Sequence, residues 1–246
     1  MLHLGALAPS PPEVPDWPAR LAALAATARD PRLRAFYAAG TPAGDTPFSE
    51  VPLVALDVET TGLDPARDEI VSLGLVPMHG GRIQAGASRH WIVRPRRALA
   101  AASVALHGIT HAQVETAPDL EAVLADCLDA ISHRVVVAHC APIERGFLAA
   151  ALRERIGEPI EFPVIDTMAL EARVHRRRPS GLPRLLARWL GRRPESIRLA
   201  DARDRFGLPR YRPHHAPTDA LAAAELLQAQ IAHRFAPDTP LRALWG

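Results

Sequence analysis

The sequence predicts an α/β fold built on a mixed sheet of five strands flanked by helices. Three extended segments come first, an apolar run and two segments joined by a glycine-containing turn, which is typical of a strand meander. Helical and extended patterns then alternate, as expected for parallel strands connected through helices. Together the two patterns predict a sheet with both antiparallel and parallel pairs.

We predict that residues 1–50 form an extension that precedes the sheet domain. Prolines at positions 9, 11, 12 and 15 disfavour regular structure near the start. Apolar spacing from residue 17 to residue 39 predicts helix, broken near Asp30 and Pro31. We expect this extension to pack on the core or to meet a partner. The main domain is predicted over residues 51–235 and a C-terminal tail over residues 236–246.

The main domain supplies all five predicted strands. The first is a short apolar run that ends at Asp57, and a hairpin turn at residues 79–81 joins the next two. The predicted strands cover residues 53–56, 70–78, 82–93, 135–138 and 164–165. Helices are predicted over residues 119–132, 142–156, 183–190, 196–206 and 214–233, and a further helix is predicted to begin at residues 166–167.

Composition excludes several kinds of chemistry. The net charge of the 246 residues is only +2, which indicates neither an acidic nor a basic partner. All 29 basic residues are arginine, which excludes a P-loop lysine, a Schiff-base lysine and a lysine general base. Cys127 and Cys140 form no CxxC motif, so neither a zinc ribbon nor a disulfide framework is predicted.

Two further features bear on localisation. The sequence has no apolar run of membrane-spanning length, and its N-terminus lacks the pattern of a signal peptide. We therefore expect a soluble, cytoplasmic protein with no membrane partner.

The sharpest local signal is D-V-E-T-T-G at residues 57–62. Residues two apart on a strand face the same side, so we expect Asp57 and Glu59 to project together from the strand end. Paired carboxylates repel unless a cation lies between them, and such oxygen ligands suit Mg²⁺ or Mn²⁺. Gly62 is a position where a substrate can approach the backbone closely. The alternative interpretation is a charged strand end followed by a turn.

Two further segments carry candidate functional groups. His214 and Asp219 lie five residues apart in H-H-A-P-T-D-A, at a predicted loop-to-helix junction where both can point at one place. An aspartate in a first helical turn also interacts favourably with the helix dipole, so a capping role is the alternative for Asp219. Over residues 137–147 a buried strand leads into a helix with Glu144 in its first turn, which is a weak signal taken alone.

Together these segments resemble the DEDDh 3′–5′ exonucleases, the DnaQ-like family that includes the proofreading epsilon subunit of bacterial DNA polymerase III. Residues 57–62 match the family's DxETTG motif, and residues 214–220 match its HxAxxDA motif. Residues 107–110 resemble its HGIT element, and residues 166–167 its DT element. The middle motif departs from the family's H-N-x-x-F-D, because Cys140, Ile143 and Glu144 stand in place of N, F and D.

The resemblance implies a ribonuclease H-like fold and hydrolysis with two divalent metal ions, Mg²⁺ or Mn²⁺. By this resemblance Asp57, Glu59 and Asp219 bind one metal ion, and Asp57 and Glu144 bind the second. His214 is the general base toward the attacking water. The substrate contacts implied are Thr60, Thr61, Gly62, Leu63, His107, His139 and Ile143.

The function implied is a 3′–5′ exonuclease that acts on 3′ ends of single-stranded DNA or RNA, with DNA favoured. A DNA polymerase is a candidate partner, and the sequence indicates no oligomeric state. The alternative is a nucleic-acid-binding or polymerase-associated module with weakened catalysis, which Glu144 and the N-terminal extension favour. The retained His214 and carboxylates argue against that alternative.

An arginine-rich segment precedes the last motif. Residues 173–212 contain 13 arginines and only three acids. One interpretation is a solvated helical surface in an arginine-rich proteome. The other is a surface that contacts phosphates and stacks on unpaired bases. The sequence leaves both open.

Overall fold

The structure, a computed structural model, describes residues 14–79, 81–97, 99, 101–176 and 195–245. The helix predicted over residues 183–190 and the middle of the arginine-rich segment lie outside the described residues. Both interpretations of that part of the segment therefore stay open.

Six strands form one mixed sheet: β1 (Leu53–Thr60), β2 (Ile70–His79), β3 (Arg82–Ile83), β4 (Arg89–Ile92), β5 (Val135–Ala138) and β6 (Val164–Asp166). Their order is β3-β2-β1-β5-β6, and β4 also pairs with β2. β1 is antiparallel to β2, whereas the β1–β5 and β5–β6 pairs are parallel. The predicted α/β fold with a mixed sheet is therefore confirmed.

Two predicted strands have different limits in the structure. β1 continues past Asp57 to Thr60, because its pairing with β2 extends to Ile70. The single strand predicted over residues 82–93 is wrong, since a 3-10 turn at Ala85–Ala87 separates β3 from β4. The stretch around Gly86 has only small side chains and no β-branched residue, so the chain leaves β2 and then pairs with it again.

Nine helices flank the sheet within the described ranges: α1 (Trp17–Thr27), α2 (Pro31–Ala38), α3 (Ala101–His107), α4 (His111–Glu115), α5 (Leu120–Ile131), α6 (Ala141–Ile156), α7 (Thr167–Arg176), α8 (Leu199–Arg205) and α9 (Ala216–Arg234). Only α3 and α4 are absent from the prediction. The latter begins with a capping box between Thr110 and Gln113, a signal that is present in the sequence. In this part of the chain no helix is long and apolar enough to cross a membrane.

The hydrophobic core joins the sheet to both ends of the described chain. Trp17 and Leu33 of the first two helices belong to the same buried cluster as β1 and β5, and Trp245 belongs to it as well. A bridge between Pro47 and Pro240 connects the two end segments. The N-terminal helices thus pack on the core, while the domain limits at residues 50 and 235 stay a prediction.

Candidate active site

β1 carries two carboxylates on one face of the sheet. Asp57 and Glu59 are two residues apart in this strand, so its pleat directs both side chains the same way. Across the antiparallel pair they lie opposite Gly74 and Ser72 of β2. Glu59 is only 6% exposed, and Asp57 is half-buried. The carboxylates are therefore partly removed from water before any ligand binds.

The start of α9 brings a third carboxylate to the same place. Gly74 allows this approach, because a Cβ atom there would lie 2.2 Å from the carbonyl carbon of Ala216. Since the helix begins directly against β2, Asp219 in its first turn reaches the carboxylates of β1. Ligand atoms of Glu59, His214 and Asp219 all lie within 4.8 Å of one another.

The two neighbouring histidines before α9 make different contacts. His214 is exposed, has a left-handed φ of +66°, and donates its backbone N–H to Asp219 Oδ2 at 2.6 Å. The His215 ring instead lies 2.8 Å from Thr218 Oγ1 and packs edge-on against His90, with 5.4 Å between ring centroids. Of this pair, His214 is the one whose ring nitrogens lie among the carboxylates.

Glu144 adds a fourth carboxylate from the first turn of α6. Cys140, just before this helix, has a φ of +88°. The backbone N–H groups of Cys140 and Ala141 each donate to the Asp166 carboxylate at 3.1 Å, which fixes how α6 leaves β5. Glu144 is 3% exposed, and its Oε2 atom is buried without a hydrogen-bond partner among the described residues.

Burial raises the pKa of all four carboxylates, and neighbouring negative charges add to this at Asp57, Glu59 and Glu144. Burial, followed by the charges of Glu144, Asp219 and Glu59, raises the pKa of Asp57 well above its ordinary value. Burial and the charge of Asp219 raise the pKa of Glu59 to about 7, and burial raises the pKa of Glu144 to about 8. Burial also raises the pKa of Asp219, although hydrogen bonds from two backbone N–H groups oppose this shift. Among the described residues, the charges of His214 and His215 also oppose the shift at Asp219.

Divalent cations fit this donor set. Carboxylate oxygens are the ligands that Mg²⁺ and Mn²⁺ prefer, and a bound cation favours the charged form that burial and neighbouring charges disfavour here. The unpartnered Oε2 atom of Glu144 is a further oxygen in need of a partner. The charges of Glu144, Asp219 and Glu59 all raise the pKa of Asp57, so the three other carboxylates lie near this side chain.

The two threonines after Glu59 are already engaged within the chain. Thr60 Oγ1 donates to the carbonyl of Gly62 at 2.5 Å. The backbone N–H of Thr61 donates to the carbonyl of Glu69 at 2.9 Å. These bonds shape the turn after β1, and the predicted substrate contacts of both threonines stay predictions.

Gly62 and Leu63 differ sharply in their surroundings. A Cβ atom on Gly62 would lie 2.4 Å from Asp68 Oδ2, so the Asp68 side chain would have to shift to admit a larger residue here. The predicted close approach of a substrate at Gly62 stays a prediction. Leu63 is 85% exposed beside the cluster, and it is available for contact with a substrate.

His107 takes part in an internal chain of hydrogen bonds. Its Nδ1 atom accepts from the backbone N–H of Ile109 at 3.0 Å, so Nε2 carries the proton and donates to Ser103 Oγ at 2.7 Å. The Ser103 hydroxyl in turn donates to the carbonyl of Thr60 at 3.1 Å. Burial, followed by the charge of His214, lowers the pKa of His107. His107 thus supports the end of β1, and its direct contact with substrate stays a prediction.

His139 and Ile143 also make internal contacts. The His139 ring lies 2.8 Å from Thr167 Oγ1 and 3.1 Å from the carbonyl of Ile197, so it connects the sheet to the segment before α8. Burial lowers the pKa of His139. Ile143 is half-buried against the hydrophobic core. Their predicted contacts with substrate are likewise untested.

Two residues that build the site were not predicted to belong to it. Gly74 sets the approach of α9, and the only sequence signal is a glycine inside a strongly apolar strand. Asp166 is predicted to begin a helix and matches the family's DT element, but the sequence does not predict that its carboxylate accepts from the first backbone groups of α6. Both act on the backbone that carries the acidic side chains.

Comparison with known proteins places this arrangement in a family. The model of the Exonuclease family matches residues 54–227, a span that contains all four carboxylates and His214. The chain belongs to the Exonuclease family. The family is one of nucleases, and its members normally use divalent metal ions, in agreement with the carboxylate cluster.

Relatives within this family include bacterial replication proteins. Over 182 residues, 74% of this chain, the sequence is 31% identical to the DNA polymerase III PolC-type protein of Thermotoga maritima. Over 129 residues, 52% of this chain, it is 40% identical to a DNA polymerase III subunit epsilon-like protein of Rhodobacter capsulatus. The chain spans only 12% and 18% of the lengths of these two relatives.

Solved exonuclease structures share the fold. The nuclease domain of 3′hExo, described as a DEDDh family member, superposes with a TM-score of 0.59 at 16% identity, covering 75% of this chain and 94% of that one. Exonuclease I of E. coli with a dT13 oligonucleotide gives a TM-score of 0.60 at 15% identity, covering 74% and 41%. The ribonuclease H-like fold and the resemblance to DEDDh exonucleases are thus confirmed.

Proposed function

We propose that this chain removes nucleotides from the 3′ ends of single-stranded nucleic acid, DNA in preference to RNA. One observation carries the proposal. Asp57, Glu59, Glu144 and Asp219 converge from β1, α6 and α9, and His214 lies beside them. Carboxylates that repel one another destabilise a fold, so their clustering is explained by a function that needs bound cations.

In this proposal Asp57, Glu59 and Asp219 hold one divalent cation, Mg²⁺ or Mn²⁺, and Asp57 and Glu144 hold a second. When bound, the cations polarise the attacking water and offset the charge on the leaving 3′ oxygen. His214 accepts the proton of that water. Its backbone N–H bond to Asp219 keeps the imidazole close to the carboxylates. The exposed Leu63 contacts the terminal nucleotide.

Relatives and structural neighbours support a nucleic-acid strand as the substrate. Two relatives are named as parts of DNA polymerase III, and the structure of exonuclease I contains a DNA oligonucleotide. A neighbour bound to rAMP shows that the fold also accommodates a ribonucleotide. The polymerase relatives favour a DNA polymerase as partner, and DNA as the better substrate.

A second candidate is a nucleic-acid-binding or polymerase-associated module with weakened catalysis. The observation that favours it is Glu144, which is one methylene longer than the aspartate that the resemblance leads us to expect. This candidate predicts that the chain binds a strand without hydrolysing it.

A polarity assay distinguishes the two. Single-stranded DNA labelled at either end is incubated with the protein and Mn²⁺ or Mg²⁺, with Asp57→Asn as the control. We expect the 3′ label to leave first as a mononucleotide and the control to be inactive. Early release of the 5′ label contradicts the polarity, and binding without hydrolysis in both metals favours the second candidate.

A further inference from the structure

A cavity of about 270 Å³ adjoins the carboxylate cluster. It lies between α8, the loop before α9 and the first turns of α9. Its walls are largely apolar and include Leu199, Pro209, Pro213 and Ala222. Asp219 also lines it, so the cavity adjoins a carboxylate of the candidate active site. Most of its other lining residues precede residue 214, outside the motif that contains Asp219.

Tyr211 provides this cavity with a fixed aromatic ring. The guanidinium carbon of Arg203 lies 4.8 Å from the ring centroid, and the Tyr211 hydroxyl donates to Glu225 at 3.0 Å. Arg203 is itself 4% exposed and donates to the carbonyls of Ala222 at 2.6 Å and Pro209 at 2.8 Å. A ring that is already held in place loses little freedom when a second flat group stacks on it.

The charges around the cavity compensate one another. Arg203 pairs with Glu225 at 2.7 Å, and Arg210 pairs with Asp204 at 2.7 Å. Apart from Asp219, the lining therefore presents balanced charge and apolar surface, which suits an uncharged ring better than a phosphate. Its volume lies just below the range of about 300–1,000 Å³ for pockets that enclose drug-sized ligands. It therefore suits a single base.

We propose that this cavity binds one unpaired base of the substrate strand, stacked on Tyr211, next to the nucleotide held at the carboxylates. The identity of this ligand rests on the proposed function. Such a site favours single strands, because a base that is paired in a duplex is not available to enter it. The start of α9 would then have two roles, since it carries Asp219 and also forms part of the wall of the base-binding cavity.

Two substrates test the proposal. A short oligothymidylate presents neighbouring bases, whereas the 4-nitrophenyl ester of thymidine 5′-monophosphate has one base. We expect Tyr211→Ala to raise the KM for the oligonucleotide by at least about tenfold relative to the KM for the ester, as for loss of one stacked base. Tyr211→Phe keeps the ring and should restore most of the difference. Equal effects on both substrates, or none on either, would overturn the proposal.

A binding measurement separates this inference from the proposed function. A single strand with 2-aminopurine next to the 3′-terminal nucleotide is added with Ca²⁺, and the quenching of its fluorescence reports stacking. Wild type and Tyr211→Phe should quench, and Tyr211→Ala should quench much less. If wild type hydrolyses neither substrate, the proposed function fails while quenching still tests the cavity. Equal quenching by all three proteins would contradict the site.

Discussion

Gly74 of β2 lies directly opposite Asp57 of β1, at the point where the start of α9 meets the sheet. A Cβ atom on Gly74 would come within 2.2 Å of the carbonyl carbon of Ala216, which is backbone and cannot turn aside. The missing side chain therefore sets the distance between Asp57 on the sheet and Asp219 on the helix.

Gly74→Ala is expected to lower kcat by at least about tenfold, because a shift of about 1 Å can cost up to ~10²-fold in rate. Calorimetry should also show weaker Mn²⁺ binding as Asp57 and Asp219 move apart. Gly86→Ala is the matched control, since a Cβ atom there meets nothing within 4 Å. Equal kinetics and Mn²⁺ affinity in the two variants would contradict a positioning role for Gly74.

Asp57→Asn tests the carboxylate whose pKa all three others raise. We expect activity to fall by at least ~10²-fold, about 2.7 kcal/mol of barrier. The melting temperature of the metal-free protein should rise, by about 2–4 °C for each kcal/mol of repulsion removed. Exposed Asp126 on α5 supplies the control Asp126→Asn, which should change neither quantity. Near-normal hydrolysis by Asp57→Asn would refute the assignment.

The two histidines before α9 are expected to differ in their effect on rate. His214→Ala should reduce kcat far more than His215→Ala, because His214 lies among the carboxylates while His215 packs against Thr218 and His90. His215→Ala should mainly lower thermal stability. Single-turnover rates at saturating substrate make the comparison. Comparable losses of rate in both variants would mean that the general base is misassigned.

Much of the site could be predicted from the sequence because short motifs carry its polar groups. Asp57 and Glu59 follow from strand periodicity, and Asp219 follows from its place after a histidine pair at a helix start. Gly74 could not be predicted, because its importance depends on which helix packs against that strand. The hydrogen bond between His107 and Ser103 could not be predicted for a similar reason, since only the fold shows that the two side chains meet.

The limits of the strand prediction also have a physical cause. The apolar run predicts a strand that ends at Asp57, yet pairing with β2 continues to Thr60. A buried, paired strand usually has apolar residues, and carboxylates in such a strand are an exception. Exceptions of this kind are typical of functional sites. Helix α4 was not predicted although the sequence contains its capping box, because a helix of only five residues shows too little apolar periodicity.

We expect Glu171 of α7 to make the free energy of unfolding fall at acid pH. Its carboxylate is 0% exposed and accepts hydrogen bonds from Arg205, Arg234 and Gln230. Burial alone would raise its pKa, but these bonds outweigh burial and lower the pKa to about 2. The contribution, about 3 kcal/mol, is present above pH 4.5 or so and is lost as pH falls toward 2.

Denaturant unfolding of Glu171→Gln between pH 7 and pH 2 checks this expectation. The variant should be less stable at pH 7 by about 2–3 kcal/mol, and the difference should shrink as pH falls. Glu154→Gln is the control, because Glu154 is exposed and its contact with Arg96 at 3.8 Å should contribute little. A difference that stays constant with pH would exclude the charge of Glu171 as its cause.

Glu144 is where this chain departs from the motif of the family that it resembles. Glutamate carries the same charge as aspartate on a stem one methylene longer, so its carboxylate reaches the same volume only with another rotamer or a shifted helix start. Mg²⁺ requires near-ideal octahedral geometry and loses water reluctantly, whereas Mn²⁺ tolerates more distortion. We therefore expect higher activity in Mn²⁺ than in Mg²⁺.

Two substitutions at Glu144 make this expectation specific. Glu144→Gln keeps the size but removes the charge, so it should abolish most activity in both metals. Glu144→Asp keeps the charge, and it should retain activity and narrow the gap between Mg²⁺ and Mn²⁺. The measurement is a metal titration of the rate for wild type and both variants. If Glu144→Gln matches wild type in both metals, the buried carboxylate beside Asp57 is not a ligand, and the binding-module candidate gains support.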